Sequence, residues 1–261
     1  MKSFFYILPL LLFSFACNNT DTSEADNDDI LVTEDTVKVE NTENEESAFP
    51  LHNSMVEGFL MEYGQENPET SAIIKTNFGN IEVKLFTETP LHRANFVMMA
   101  KENYFNKTQF YRVIKDFMIQ GGNSDDELVG EKRTRIGKYT LPPEISPQYI
   151  HQRGALCMAR VYEDNPDKRS NPYEFYIIQG KKHTDEELMM IEMGYGITIP
   201  EKDKAIYKSK GGAPHLDNLM TIFGEVTKGM DVVDKIANSE TDGNDWPKKV
   251  VIIESIELAG S

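Results

Sequence analysis

The chain has 261 residues, 39% of them hydrophobic, which is enough to bury the core of one catalytic-sized domain with appended segments. Its net charge of −16 lies mainly in residues 18–47, where eleven acidic side chains stand against one lysine. The remainder is only mildly acidic, so the composition argues against nucleic-acid binding, which requires a basic surface.

The first seventeen residues have the pattern of a targeting signal. Lys2 precedes an apolar run over residues 4–15 that is too short to span a bilayer. The small residue Ala16 directly before Cys17 resembles the lipobox of bacterial lipoproteins, in which the cysteine is lipidated and becomes the mature N-terminus. We therefore expect a signal peptide over residues 1–16 and a lipid on Cys17 that anchors the protein in the bacterial cell envelope, facing the periplasm or the cell exterior. The alternative is an ordinary secretory signal that contains a cysteine.

Residues 17–49 are rich in Asp, Glu, Asn and Thr and poor in aromatic residues. Such a segment cannot bury enough apolar surface to order itself, and its like charges repel one another. We expect a disordered acidic linker. It serves either as a spacer between a membrane and the domain or only as a solubilising tail.

After the linker, the apolar residues recur first at helical spacing and then in the patterns of short strands. Apolar residues recur at helical spacing from Leu51 to Tyr63, which predicts an N-terminal helical extension over residues 50–69. Pro90 and Gly229 each begin a predicted core helix, and residues 123–147 are predicted as loop. Strands are predicted at 72–76, 80–86, 110–114, 154–159, 174–179, 221–226 and 250–258. Many short antiparallel strands with two core helices favour a closed barrel of the mainly β class.

The segment 110–122, FYRVIKDFMIQGG, places an arginine, a glutamine and a Phe-Met pair on two adjacent predicted strands. Because side chains alternate along a strand, Arg112 is predicted on the same face as Phe110 and Ile114. These residue types suggest a groove with a fixed cation, an amide and a hydrophobic floor. The segment closely resembles the core motif of the cyclophilins, a family of peptidyl-prolyl cis-trans isomerases, whose pattern is Phe-His-Arg-Val-Ile, a short turn, and Phe-Met-Ile-Gln-Gly-Gly.

The resemblance runs over residues 71–258 and includes the segments 154–160, 170–177, 215–224 and 226–230. It implies a closed, eight-stranded antiparallel barrel over residues 70–261, capped by two helices. Residues 180–214 form an insertion, since typical cyclophilins connect these strands with a shorter segment. Residues 185–193 are predicted as helix and the lysine-rich residues 201–212 as loop. The insertion is either decoration, which surface loops tolerate, or a wall beside the groove that modulates substrate choice.

By motif position, Arg112 corresponds to the catalytic arginine of the family. The resemblance implies that Gln120 binds the substrate backbone, and that Ala159 and Arg160 flank the residue that precedes the proline. It further implies that the pocket for the proline ring is lined by Phe117, Met118, Tyr176 and Leu216.

Four positions depart from the family pattern. Tyr111 replaces a histidine, and strand alternation is expected to point it away from Arg112. Glu174 replaces a glutamine, and its carboxylate could either pair with Arg112 and orient it or compete with the substrate for Arg112. Orientation is expected, because carboxylates form bidentate contacts with arginine. His215 stands where many members have tryptophan, and Met220 where histidine or tyrosine is common at the pocket rim. All of these except Tyr111 are counted as candidate substrate-binding residues.

The implied reaction requires few groups. Rotation about an X–Pro bond breaks amide resonance, with a barrier of about 18–20 kcal/mol, and a donor such as Arg112 can hydrogen-bond the prolyl nitrogen as its lone pair localises. No cofactor is expected. No metal is expected either, because the five histidines lack ligand spacing. Cys157 is left without a disulfide partner if Cys17 is acylated.

Two functions are compatible with these residues. The first is a peptidyl-prolyl isomerase that assists the folding of exported proteins, which retention of Arg112, Phe117, Met118 and Gln120 favours. The second is a catalytically weakened module that binds proline-containing peptides as a chaperone or scaffold, which Tyr111 and Glu174 favour. In both cases the expected partners are proline-containing polypeptides and, through the lipid anchor, a membrane. We expect a monomer.

Overall fold

The computed structural model describes residues 49–260. The predicted signal peptide, the lipidation site at Cys17 and the acidic linker as far as residue 48 lie outside the described residues. Within residues 49–260, no helix has the length and apolar character needed to cross a membrane.

The described chain contains ten strands and six helices. The strands are β1 (Leu51–His52), β2 (Ser71–Thr76), β3 (Gly79–Leu85), β4 (Gln109–Ile114), β5 (Met118–Asn123), β6 (Gly137–Lys138), β7 (Ala155–Met158), β8 (Phe175–Ile178), β9 (Ile222–Lys228) and β10 (Ile253–Ala259). The helices are α1 (Val56–Glu66), α2 (Pro90–Lys101), α3 (Glu127–Ile136), α4 (Asp185–Tyr195), α5 (Glu201–Ser209) and α6 (Met230–Ala237), with one 3₁₀ turn over Pro214–Leu216.

Eight of these strands form one antiparallel sheet in the order β10-β2-β3-β9-β7-β8-β5-β4. The predicted closed barrel is wrong, because the sheet is an open half-barrel. Its two edge strands, β4 and β10, do not form a ladder; an isolated bridge joins Gln109 to Ile252. Apolar periodicity indicates which face of a strand is buried, but it does not indicate whether the two edges of a sheet come into register.

Two predicted loops are helices in the structure. Asp126 caps α3 by accepting a hydrogen bond from the Leu128 backbone N–H, and α3 buries only Val129 and Ile136. Helix α5 lies within the insertion, where a lysine-rich loop was predicted. Both helices bury few side chains and about half of their residues are charged, so helical periodicity in their apolar residues is faint.

Strand β8 separates two hydrophobic clusters, since its side chains are buried on both faces. Phe175 and Ile177 belong to the main core, together with the rings of Phe96 and Phe223. The alternate residues Tyr176 and Ile178 face a second, smaller cluster. The members of the second cluster are Phe86, Met118, Ala155, Cys157, Ala159, Tyr176, Ile178, Ala213, Leu216, Met220 and Ile222.

Candidate active site

A β-bulge in β4 determines where Arg112 lies. Phe110 pairs with Gly121 and Arg112 pairs with Gln120, which leaves Tyr111 as the extra residue. Phe110 is therefore buried in the main core while Arg112 is exposed, and the expectation that they share a face is wrong. A bulge inserts one extra residue into a strand, so the side chains beyond it point to the opposite faces from those that strict alternation predicts. Ile114, two residues after Arg112, packs against the second cluster.

A cavity of about 140 Å³ opens beside Arg112. Its floor is apolar, and its polar groups lie at the rim. The structure brings together here ten of the eleven predicted site residues: Arg112, Phe117, Met118, Gln120, Ala159, Arg160, Glu174, Tyr176, Leu216 and Met220. The sequence reasoning missed Val161, Tyr162 and Asn171, which also line the cavity and directly follow or lie within the matching segments 154–160 and 170–177.

The floor is formed by side chains of the second cluster. Met118 is 2% exposed, and Tyr176, Leu216 and Met220 are almost as buried. Strand pairing brings Met118 on β5 opposite Ile178 on β8. Burying an apolar ring on such a floor is favourable by about 25 cal/mol for each Å² removed from water.

The Glu174 carboxylate belongs to a hydrogen-bonded group at the rim. One oxygen accepts from Nη2 of Arg133 at 3.0 Å, and the other accepts from the Tyr111 hydroxyl at 2.7 Å. The side-chain amide of Gln120 donates to the Tyr111 hydroxyl. Glu174 therefore pairs with Arg133 of α3, and the expectation that it pairs with Arg112 is wrong. A loop over residues 123–147, as the sequence predicts, does not place Arg133 beside Glu174, whereas helix α3 does.

Tyr111 remains a hydrogen-bond donor at every physiological pH. Burial raises the pKa of its hydroxyl, and the neighbouring Glu174 carboxylate raises it further. The ring of Trp246 packs against the Tyr111 ring, with centroids 5.7 Å apart. Tyr111 thus supports the cavity wall through Glu174 and Gln120.

Arg112 has a different ionic partner. Its Nε lies 3.4 Å from Oδ2 of Asp245, and both side chains are nearly half exposed. Asp245 lies in the loop between α6 and β10, and its carbonyl accepts a hydrogen bond from the Val113 backbone N–H. Within residues 49–260, Asp245 is the only ion-pair partner of Arg112. The contact engages Nε, and so the terminal nitrogens can donate to a molecule in the cavity.

His215 is the predicted site residue that does not line the cavity. Its ring lies beside Phe117, with centroids 5.3 Å apart, and stacks on Tyr195 from the insertion at 5.0 Å. Burial lowers the pKa of His215, and the nearby His151 lowers it further, so the imidazole is neutral at pH 7. Among the described residues, no group of three or more His, Cys, Asp or Glu side chains is placed to hold a metal ion.

The arrangement can stabilise a twisted amide. An apolar ring held on the floor positions the preceding amide at the rim, where Arg112 can donate to the nitrogen as its lone pair localises. That hydrogen bond is weak in the planar ground state and strong in the twisted state, which is the condition for catalysis. A rate gain of about 10⁵ requires roughly 7 kcal/mol of such differential stabilisation.

The open antiparallel half-barrel thus holds an arginine beside a small apolar cavity, a site that can bind an apolar ring and twist the peptide bond before it. The family model described as cyclophilin type peptidyl-prolyl cis-trans isomerase/CLD matches residues 71–258. The chain belongs to the cyclophilin-type peptidyl-prolyl cis-trans isomerase family, and it is an isomerase of X–Pro bonds.

Relatives with this activity in their names come from several bacteria. A peptidyl-prolyl cis-trans isomerase of Staphylococcus epidermidis is 33% identical over 195 residues, covering 74% of this chain and 93% of the relative. A bifunctional phosphatase/peptidyl-prolyl cis-trans isomerase of Streptococcus pyogenes is 36% identical over 188 residues, or 71% of this chain but only 38% of the relative. A crystal structure of a Cryptosporidium parvum cyclophilin has the same fold, with a TM-score of 0.53 and 22% identity over 74% of this chain and 99% of that one.

Proposed function

We propose that this isomerase acts on proline-containing segments of exported proteins while it is held by a lipid anchor in the bacterial cell envelope. The apolar run at residues 4–15 followed directly by Cys17 supports the anchor. The acidic segment that follows supports a spacer between the anchor and the catalytic domain. An isomerase tethered outside the cytoplasm would meet its substrates as they fold.

The observation that carries the substrate assignment is the position of Arg112 at the edge of a cavity floored by Met118, Tyr176 and Leu216. This combination fits a proline ring on the floor and its amide nitrogen at the guanidinium. A Cryptosporidium parvum cyclophilin with the same fold was crystallised in the presence of the dipeptide Ala-Pro, which agrees with a proline-containing peptide as substrate.

A direct isomerase assay tests this function. The purified protein, at micromolar concentration, is added to a blocked Ala-Pro peptide whose cis–trans exchange is followed by NMR. We expect exchange far faster than the spontaneous process, which takes tens of seconds or longer. Exchange at the spontaneous rate would overturn the assignment.

The anchor has a separate test. Cells that express the full chain are labelled with palmitate, and the Cys17→Ala variant is the matched control. We expect label on the wild-type chain and none on the variant. Label on both, or on neither, would argue for an ordinary secretory signal instead.

The alternative, a weakened module that only binds proline-containing peptides, has less support. It depended on Glu174 competing with substrate for Arg112 and on the loss of a histidine at Tyr111. Glu174 is paired with Arg133, and Tyr111 donates to Glu174. Neither residue forms an ion pair with the guanidinium of Arg112, which the reaction requires.

A further inference from the structure

The insertion is joined to the active site by polar contacts that are buried or partly buried. From α5, the Tyr207 hydroxyl donates to Asp217 at 2.6 Å. Asp217 also accepts from the backbone N–H of His151 at 2.8 Å, and the ring of His151 lies 3.2 Å from the hydroxyl of Tyr176 in the cavity floor. Buried polar groups with satisfied partners restrict motion. The insertion therefore has a defined position relative to the cavity.

Contacts within the insertion hold α4 in place. Thr184 and Glu187 form a reciprocal cap at its first turn. Leu188 packs with Ile199 and Tyr207 in a small buried cluster. Near its C-terminal end, Glu192 accepts a hydrogen bond from the backbone N–H of Ile199 at 2.8 Å. The last residue of α4, Tyr195, is therefore presented from a supported helix.

Tyr195 is the outer member of a row of three rings that begins at the cavity. Tyr195 stacks on His215 with an interplanar angle of 28°, and His215 lies against Phe117, which lines the cavity. Tyr195 is nevertheless 61% exposed. The neutral state of His215 makes the row uncharged at pH 7. An exposed aromatic ring at the end of a row that begins in the substrate cavity is available to a bound polypeptide.

The row starts from a different part of the cavity wall than the residues assigned to the chain before the proline. Ala159 and Arg160 line the cavity at the end of β7 and, by family resemblance, flank the residue before the proline. The Phe117–His215–Tyr195 row extends from another part of the wall. Its two centroid separations span at most about 10 Å, the length of about three residues of extended chain.

We propose that Tyr195 is a specificity-determining residue that binds an aromatic side chain at the second or third position after the proline. The ring of the substrate packs on the exposed part of Tyr195, at the end of the row. This proposal rests on the isomerase activity and assigns to the insertion the role of a wall that selects substrates. Aromatic pairs contribute about 0.5–1.5 kcal/mol beyond the burial of their area, so the expected preference is about two- to tenfold in kcat/KM.

The test uses three blocked peptides that share an Ala-Pro bond. One has glycine at both the second and third positions after the proline, and the others carry phenylalanine at one of these positions. Exchange NMR measures kcat and KM without a coupling protease, whose own specificity would confound the comparison. We expect one phenylalanine peptide to be turned over about two- to tenfold more efficiently than the glycine peptide, mainly through a lower KM.

Three variants isolate Tyr195. Tyr195→Ala should abolish the preference and leave turnover of the glycine peptide unchanged, whereas Tyr195→Phe should retain the preference because it keeps the ring. Met190→Ala is the matched control, since Met190 is 62% exposed on the same helix and five residues earlier, about 140° around the helix axis. It should behave as wild type.

The outcomes are distinguishable. A preference that persists in Tyr195→Ala, or a loss of turnover that is equal for all three peptides, would overturn the role of Tyr195 while the isomerase assignment stands. Equal turnover of the three peptides by the wild-type protein would do the same. Absence of exchange with every peptide would overturn the isomerase assignment and this proposal together.

Discussion

The guanidinium of Arg133 lies 3.0 Å from the Glu174 carboxylate, so Glu174 forms its ion pair with Arg133 and not with the catalytic Arg112. Arg133 also donates from Nε to the hydroxyl of Tyr104 at 2.9 Å, which fixes the orientation of its planar group. Arg112 instead forms an ion pair with Asp245, which is more exposed than Glu174. The site has two arginine–carboxylate pairs, one that supports the wall and one that holds the catalytic side chain, and they predict different consequences of mutation.

Arg112→Ala is expected to lower kcat/KM for an Ala-Pro peptide by about 10²- to 10³-fold, the effect of removing one transition-state donor. Stability should change by about 1 kcal/mol or less, because the side chain is exposed and its ion pair is weak. Exchange NMR and thermal melting measure the two effects. Wild-type activity in a folded Arg112→Ala protein would show that another group donates to the prolyl nitrogen.

Glu174→Gln is expected to reduce stability rather than turnover. It removes the charge that pairs with Arg133 in a largely buried position, which costs about 1–2 kcal/mol, or a fall of several degrees in Tm. The value of kcat/KM should change less than about threefold, because Glu174 does not contact Arg112. Arg133→Gln and the double variant complete a mutant cycle, in which the two stability losses should not add. A large fall in kcat with unchanged Tm would restore the orienting role for Glu174.

Asp245→Asn is expected to lower kcat/KM about two- to fivefold at low ionic strength, because Arg112 loses the partner that restricts its rotamers. Asparagine tolerates the left-handed backbone of residue 245, whose φ is 64°. Salt screens exposed charges, with a Debye length of about 10 Å at 0.1 M and 3 Å at 1 M. The activities of wild type and variant should therefore converge in high salt. A difference that is independent of salt would contradict the ionic role of Asp245.

His215 is expected to make the protein less stable in mild acid. Its pKa is lowered in the folded state by burial, so the unfolded chain binds more protons between that lowered pKa and the ordinary value of 6.5. The free energy of unfolding therefore falls as pH drops below about 6.5 and is unaffected by this group above about pH 7.5. His215→Phe keeps an aromatic ring that cannot be protonated. Its Tm should fall less than that of wild type between pH 7.5 and pH 5.5, and an equal fall would refute the assignment.

Substitution by alanine should have opposite effects on the free energy of unfolding at two glycines. Gly122 has φ of +98°, and an added Cβ would come within 2.2 Å of the Tyr173 carbonyl oxygen, so Gly122→Ala should destabilise the protein by about 3 kcal/mol or more. Gly130 lies inside α3 with no atom within 4 Å of an added Cβ. There alanine should stabilise by about 0.5–1 kcal/mol. Urea titration measures both, and similar midpoints for the two variants would contradict this account.

Local patterns predicted much of the fold. The hairpin of β2 and β3 forms with Ile74 opposite Ile81, and α2 begins at Pro90, as turn residues and apolar spacing indicate. Helices α3 and α5 were missed because they bury few side chains. The bulge at Tyr111 was missed because an extra residue in one strand is defined only by the partner strand.

The sequence by itself determined the chemistry of the cavity: the arginine, the apolar floor residues and the family to which their order belongs, because these depend on residue type and short-range spacing. Only the tertiary structure decided that Glu174 pairs with Arg133, that the sheet stays open, and that Tyr195 reaches His215. Each of these depends on which distant residues packing brings within a few ångströms. Strand and helix periodicity carries no information about contacts between residues so far apart in the chain.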